Sequence, residues 1–366
     1  MEKLINITGK ALSGEWGIDD EEGIGIPVLR TTNFTNDGII DYSNVITRTI
    51  TKKNIADKFL RKGDIIIEKS GGSDNKPVGR VVYFDNDENK YLFNNFTGLL
   101  RVKDTTKWLP KYIFYSLFAN YQSGGTRRYE NKTTGLHNLQ TDFYVEDFEI
   151  KEISYGEQIE ICELFDGITD LIYKRKRQLE KLDELVKSRF VELFGDYRIN
   201  EKGFDCKKGS ELFKFSSGKF LPEEKRVDEG VPVYGGNGIA WYTSECLVDY
   251  PTIIIGRVGA QCGNIHAVTT PVWITDNAIY IKEQKTKAYT LEFLTELMRM
   301  MDFYQYADFS GQPKITQKPL ETLDYIMPPI ELQNEYTTFV EQTDKTKFDC
   351  NKYNNYIERS LNYDKF

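Results

Sequence analysis

The sequence predicts an α+β chain built as a tandem pair. Two similar domains are each followed by a long helix, and the two helices pair antiparallel under an approximate two-fold axis. Three observations carry this reading. Short apolar runs alternate with Gly, Asn and Pro turns and a minor helical share. Landmarks of the first half return in the same order in the second. Each half then runs into a stretch whose apolar residues step by four and three, the spacing of a coiled-coil seam.

The first landmark is Leu12-Ser13-Gly14, followed by Gly25-Ile26-Pro27-Val28-Leu29-Arg30-Thr31-Thr32-Asn33. Its counterpart, about 205 residues on, is Ser217-Gly218 followed by Gly230-Val231-Pro232-Val233-Tyr234-Gly235-Gly236-Asn237-Gly238. Next comes a buried strand ending in a glycine-rich turn, Gly63-Asp64-Ile65-Ile66-Ile67-Glu68-Lys69-Ser70-Gly71-Gly72. It returns as Pro251-Thr252-Ile253-Ile254-Ile255-Gly256-Arg257-Val258-Gly259, at an offset of about 188, so the first copy carries extra loop residues.

Short helices follow, Leu109 to Tyr121 and Leu291 to Tyr304, whose apolar stripes belong to the cores. Each leads to a loop of small and polar residues, Ser123 to Asn138 and Asp308 to Thr316. Strand-like segments around Ile150 and Ile326 then precede Gln158 and Gln333, at an offset of about 175. A period this long fits duplication of a domain rather than a solenoid.

The central helix is expected over Glu157 to Phe194, with Ile168, Ile172, Leu179, Leu182 and Val186 on its seam. The C-terminal stretch repeats the steps through Leu332, Tyr336, Phe339, Thr343, Thr346, Cys350, Tyr353, Ile357 and Ser360, though its seam is more polar. Lys174 to Arg189 carries a net charge of +4 and Glu331 to Phe366 a net −2, in weak agreement with pairing. At about 1.5 Å per residue the central helix spans on the order of 50 Å, a rigid spacer between two heads. The expected divisions are a first domain over 1–155, the central helix over 156–195, a second domain over 196–330 and a distal helix over 331–366.

Composition narrows the function. No apolar run approaches the roughly 20 residues needed to cross a bilayer and nothing resembles a signal peptide, so a cytoplasmic protein without a membrane partner is expected. The net charge of −8 argues against indiscriminate coating of nucleic acid but leaves local contact open. Five scattered cysteines form no C-x-x-C pair, and the two histidines, His137 and His266, lie far from any metal-ligand spacing, so no metal site is expected. There is no phosphate-binding loop of the G-x-x-x-x-G-K type. Met327-Pro328-Pro329-Ile330 lacks the residues of an Asn-Pro-Pro-Tyr methyltransferase loop, and Glu283-Gln284-Lys285 after Asp276 is a triplet that arises freely in a chain this rich in Glu and Lys. No catalytic residue is therefore assigned.

Recognition equipment remains. Arg30, Thr31, Thr32, Asn33 and Lys69 in the first half, with Tyr234, Asn237, Arg257 and Gln261 in the second, fall at strand ends or turns. Arg and Asn read guanine and adenine edges bidentately, and hydroxyls serve phosphates or bases. The loop with Arg127, Arg128, Tyr129, Lys132 and Thr133 interleaves basic, aromatic and hydroxyl groups, and its counterpart offers Gln312 and Lys314. The bland reading is that the asparagines only make turns. The two loops differ while their surroundings match, which suits two heads that read different half-sites in double-stranded DNA.

Arg177-Gln178-Leu179-Glu180-Lys181-Leu182, Leu185-Val186-Lys187-Ser188-Arg189-Phe190 and Phe194-Gly195-Asp196 resemble the central helix of type I restriction-modification specificity subunits. Gly311-Gln312-Pro313-Lys314-Ile315-Thr316, then Ile326-Met327-Pro328-Pro329-Ile330 and Gln333, resemble the segment that closes a target-recognition domain and opens the distal helix. In the first half Ile150-Lys151-Glu152-Ile153-Ser154 lacks the Pro pair, while Glu157-Gln158 fits. The resemblance implies a non-catalytic subunit with two target-recognition domains reading a bipartite, asymmetric DNA site. It also implies docking of two methyltransferase subunits and of motor-nuclease subunits. S-adenosylmethionine, ATP and Mg2+ would be bound by those partners, with no cofactor in this chain. Two other readings stay open: a self-sufficient restriction or modification enzyme with an unrecognised active site, and a coiled-coil adaptor whose heads bind proteins.

Overall fold

The computed structural model describes residues 1–133 and 136–360, without the side chains of Lys132, Thr133 and residues 354–360. The expected contacts Lys132, Thr133 and Ile357 therefore lie, as side chains, outside the described residues. The chain forms two compact units, one taking in Met1–Tyr173 and the other Lys174–Asn354.

The first unit holds a sheet in the order Leu12–Ser13, Thr97–Leu100, Ile65–Glu68, Val81–Tyr83 and a second in the order Ile18–Asp19, Ile46–Thr49, Ile26–Leu29, Leu92–Phe93. The second unit repeats both orders. Its sheets run Phe213–Ser217, Ala278–Gln284, Thr252–Gly256, Ile265–Val268 and Arg226–Val227, Gly238–Thr243, Val231–Gly235, Trp273–Ile274. A parallel pair also recurs, Val28 beside Leu92 in one unit and Val233 beside Trp273 in the other. A two-stranded ladder ends each copy, Glu2–Lys3 with Glu149–Ile150 and Asp205–Lys208 with Asp324–Met327. The duplication visible as landmarks is thus a duplication of topology.

The uninterrupted apolar runs become central strands because both of their faces are covered. Ile65 and Ile67 point into the cluster that holds Tyr112, Ile113 and Leu117 of the helix Pro110–Gln122, whereas Ile66 points into a separate cluster with Leu29, Phe93 and Leu99. Ile253 and Ile255 divide from Ile254 in the same way. The glycines of the first landmark answer to close backbone approach. A Cβ on Gly14 would stand 2.1 Å from the Asn94 carbonyl oxygen, and one on Gly218 would stand 2.1 Å from that of Thr275.

The central helix, Tyr155–Phe194, starts at a capping box: the Glu157 carboxylate accepts from the Ser154 N–H at 2.9 Å, and the Glu157 N–H donates to the Ser154 hydroxyl at 3.3 Å. It stops at Gly195, whose φ of 70° is the left-handed conformation glycine adopts without strain. Phe165 packs on Tyr115 with ring centroids 5.2 Å apart, seating the start of the helix on the first domain. At the other end Phe190 and Phe194 are fully buried against Phe293 and Tyr336 in the core of the second unit.

Within the second unit the central helix runs antiparallel to the distal helix, Ile330–Ser360. Arg189 pairs with Glu335, Lys347 with Asp183 at 2.7 Å, and Arg175 lies 3.6 Å from the Cys350 sulfur, so rising numbers on one helix meet falling numbers on the other. On the expected seam Ile168, Ile172, Leu179 and Leu182 are half-buried and Val186 is buried. Tyr336 is buried and Phe339 half-buried, but Tyr353 is 60% exposed, a correction to the distal seam as the spacing drew it. Between the buried Thr343 and Cys350, the half-buried residue is Lys347 and Thr346 is exposed. At that position the Lys347 ammonium reaches Asp183 of the central helix.

The helix starts also tie into the domains. Gln158 and Gln333, 1% and 0% exposed, reach the residue that precedes the short helix of their own unit. The Leu109 N–H donates to Gln158 Oε1 at 2.8 Å, and the Thr290 N–H donates to Gln333 Oε1 at 2.9 Å.

Candidate nucleic-acid interface

In each unit a basic residue, Lys69 or Arg257, follows an inner strand of a four-stranded sheet, Ile65–Glu68 or Thr252–Gly256, and the two positions are held alike. The Lys69 N–H donates to the Phe96 carbonyl at 2.8 Å and its own carbonyl accepts from Leu139; the Arg257 N–H donates to Asn277 at 2.9 Å and its carbonyl accepts from Ile315. Lys69 and Arg257 are therefore equivalent, as the offset of about 188 anticipates. The equivalence aligns Leu139 with Ile315 and so pairs the expected loops through their ends.

The loops themselves differ. In the first unit Ser123 to Asn138, read from sequence as a plain loop, folds into a tight turn, Gly125–Tyr129, and a hairpin of Glu130–Thr133 with Leu136–Leu139. This hairpin pairs with Ser70–Gly72 to make a three-stranded sheet. In the second unit the corresponding segment makes only single bridges, Val258 with Lys314 and Asp308 with Lys314. Glu130 to Thr133 is polar throughout, so no apolar alternation marks this strand in the sequence.

Side chains of the first unit divide into exposed and committed groups. Thr32, Arg127 and Arg128 are exposed, and Arg128 is drawn towards Asp147, 3.3 Å from its Nη2. Arg30 is half-buried and donates to the Asn44 carbonyl at 3.1 Å. Thr31 is half-buried, and the Lys69 Nζ, whose ammonium burial pushes down, sits 3.0 Å from the Ser13 hydroxyl. Two expected contacts are instead taken up by the fold. Asn33 is 2% exposed; its Oδ1 accepts from the Arg30 N–H at 2.9 Å, and its Nδ2 donates to the carbonyls of Asp41 and Asn44 at 3.0 Å each. Tyr129 is buried, and its hydroxyl donates to Asp147 at 2.7 Å. A buried amide or phenol must find partners inside the protein, and both have done so.

In the second unit Asn237, Gln261, Gln312 and Lys314 are exposed, with Tyr234 and Arg257 half-buried. They converge on one edge: Gly259 donates to the Pro313 carbonyl at 2.9 Å, Ile315 donates to Arg257 at 2.9 Å, and a Cβ on Gly236 would lie 3.3 Å from the Gly256 Cα. His266 supports this edge from below, with Nε2 3.4 Å from the Gly236 carbonyl and its ring 6.0 Å from that of Tyr234. Burial holds His266 below its ordinary pKa, with Arg299 adding to the depression.

One group escaped the sequence reading. Arg80, 8% exposed, donates from Nη2 to Glu68 Oε1 at 3.2 Å, and Glu68 is 4% exposed. Burial raises the Glu68 carboxyl even with the guanidinium beside it. The signal was Glu68 itself, an acid at the end of three isoleucines that had to find a cation once the strand was buried.

Among the described residues no group of three or more His, Cys, Asp or Glu side chains is placed to hold a metal ion, and no helix is long and apolar enough to cross a membrane. The family model described as the type I restriction modification DNA specificity domain matches residues 3–181 and 201–359. A curated relative, the type I restriction enzyme EcoprrI specificity subunit of Escherichia coli, is 27% identical over 139 residues. That match spans 37% of this chain and 34% of the relative, about a third of its length. The chain is also similar to the crystal structure of a type I restriction-modification system S subunit from M. genitalium, with a TM-score of 0.61 and 19% identity over 98% of this chain and 92% of that one. A structure addressing complex assembly and conformational transition of the type I R-M system gives a TM-score of 0.54 at 14% identity, over 98% and 94% of the two chains. At these identities the structures show a common fold.

Proposed function

The chain belongs to the type I restriction modification DNA specificity family, and from that premise we propose that its two domains read the two halves of a bipartite, asymmetric sequence in double-stranded DNA. The observation that carries this is the edge at Lys69 and Arg257. One topology presents the same main-chain position twice, with a hairpin beside it in one unit and a short polar loop in the other. A duplicated frame with unlike edges is what two different half-sites require.

Arg30, Thr31, Thr32, Lys69, Arg127 and Arg128 are the proposed contacts of the first domain. Tyr234, Asn237, Arg257, Gln261, Gln312 and Lys314 are those of the second. Exposed Arg and Lys supply phosphate contact, while Asn, Gln and Arg supply base-edge contact. The chain is proposed to be non-catalytic and to scaffold two methyltransferase subunits and motor-nuclease subunits, which bind S-adenosylmethionine, ATP and Mg2+. Leu164, Leu171 and Leu185 on the central helix are 48%, 41% and 48% exposed, apolar surface of the kind a docked partner covers.

The test is to purify the chain with and without its neighbouring methyltransferase and to assay methylation on DNA of many sequences. Methylation confined to one two-part motif, and only with both proteins present, is expected. Methylation or cleavage by the chain alone would overturn the non-catalytic reading.

A further inference from the structure

We infer that Arg80 is a positioning residue for base preference in the first domain: its guanidinium fastens the Arg30–Asn33 segment to the strand end that carries Lys69. This rests on the reading of that domain as one that recognises DNA. Arg80 Nη2 donates to the Thr31 carbonyl at 2.9 Å and Nη1 to the Phe34 carbonyl at 2.7 Å, while Nη2 also meets Glu68 at 3.2 Å. The Glu68 N–H in turn donates to the Arg80 carbonyl at 2.8 Å, so the two residues are joined through main chain and side chain together. A planar fork with fixed donor directions ties two carbonyls and a carboxylate in one geometry; an ammonium on a flexible stem does not.

The second domain makes the same joint differently. The position of Glu68 is occupied there by Gly256, because Lys69 and Arg257 are equivalent. A Cβ on Gly256 would stand 2.2 Å from the Gln261 carbonyl oxygen and 2.9 Å from that of Gly236, so its turn lies directly on the strand end. In the first domain the buried Glu68 and Arg80 side chains stand between the Thr31 turn and the strand end and link them by hydrogen bonds. The turn is thus joined to the strand end through Glu68 and Arg80 in one domain and by direct approach across a bare glycine in the other.

The experiment uses the full chain assembled with its methyltransferase and a DNA library, comparing wild type with Arg80→Lys, Arg80→Met and Glu68→Gln. Each variant's melting temperature is measured alongside. Arg80→Lys and Arg80→Met are expected to relax base discrimination about tenfold within one half of the motif and to leave the other half unchanged. Glu68→Gln keeps an acceptor for the guanidinium, so it is expected to lower melting while retaining the motif. Loss of stability alone does not move base preference, and this separates positioning from folding. A wild-type motif that both Arg80 variants preserve, or a relaxation in Glu68→Gln equal to theirs, overturns the inference. A wild-type complex with no two-part motif removes the DNA reading beneath it as well.

Discussion

Gln158 and Gln333 make the same three hydrogen bonds in the two halves of the chain. Each carboxamide oxygen accepts from the residue before a short helix, Leu109 or Thr290. Each amide nitrogen donates to two carbonyls, those of Lys107 and Ile153 in one case and of Ala288 and Pro328 in the other. A long helix is in this way registered against its domain by one buried side chain.

Replacing either glutamine by leucine leaves two carbonyls and an N–H without partners. Gln158→Leu and Gln333→Leu are each expected to destabilise by about 3 kcal/mol, read by urea denaturation. A cost below about 1 kcal/mol for both would mean that water satisfies these groups and the clip is dispensable.

On the central helix, burial rather than charge is expected to dominate. Phe190 is 0% exposed among Phe194, Phe293 and Tyr336, so Phe190→Ala should cost about 3–5 kcal/mol. The Lys347–Asp183 pair has an aspartate side chain 64% exposed, and Lys347→Ala should cost no more than about 1 kcal/mol. Thermal denaturation of both variants decides the order, and the reverse order would contradict the assigned packing.

Arg127 and Arg128 are adjacent but unequally placed. Arg128 is engaged by Asp147, whereas Arg127 is exposed with no described ion pair. In the assembled complex Arg127→Ala should therefore weaken cognate DNA binding more than Arg128→Ala does, and lower the salt slope by about one. Unchanged affinity and slope in Arg127→Ala would take this turn off the DNA surface.

His266 gives the second domain a pH dependence of defined sign. Its folded pKa is lowered from 6.5, so below that value the unfolded chain takes up the proton first. The stability it contributes is complete above pH 6.5 and is lost as pH falls through the folded value, at no more than about 1.4 kcal/mol per pH unit. Denaturation of wild type and His266→Gln at pH 7.5 and 5.5, values chosen to bracket that range, should show the smaller pH effect in the variant. Equal effects would show that the imidazole titrates as freely folded as unfolded.

Much of this architecture is legible in the sequence. Runs such as Ile65 to Ile67 and Ile253 to Ile255 announce buried strands, and Ser13-Gly14 and Ser217-Gly218 announce a repeat. The four-three spacing from Ile168 to Val186 places a seam, because helical periodicity is a local property that any partner must respect. Local pattern also determined the residue types available for recognition: Arg127, Arg257, Gln312 and Lys314 are polar at turns whatever the turns pack against.

Which of those side chains face outward was decided only by the tertiary structure. Asn33 and Tyr129 look like contacts in sequence, yet folding brings Asp41, Asn44 and Asp147 to them and their polar atoms are used inside. Glu68, an acid closing a run of isoleucines, signals the need for a cation, but that the cation is Arg80, twelve positions on, and that the two meet under Thr31 and Phe34, follows only from strand pairing. On the distal helix Lys347 rather than Thr346 is half-buried, and there the partner helix supplies Asp183. A sequence determines what each residue prefers nearby, whereas the partner that satisfies a buried polar atom arrives from elsewhere in the chain, and only the packed fold says which one it is.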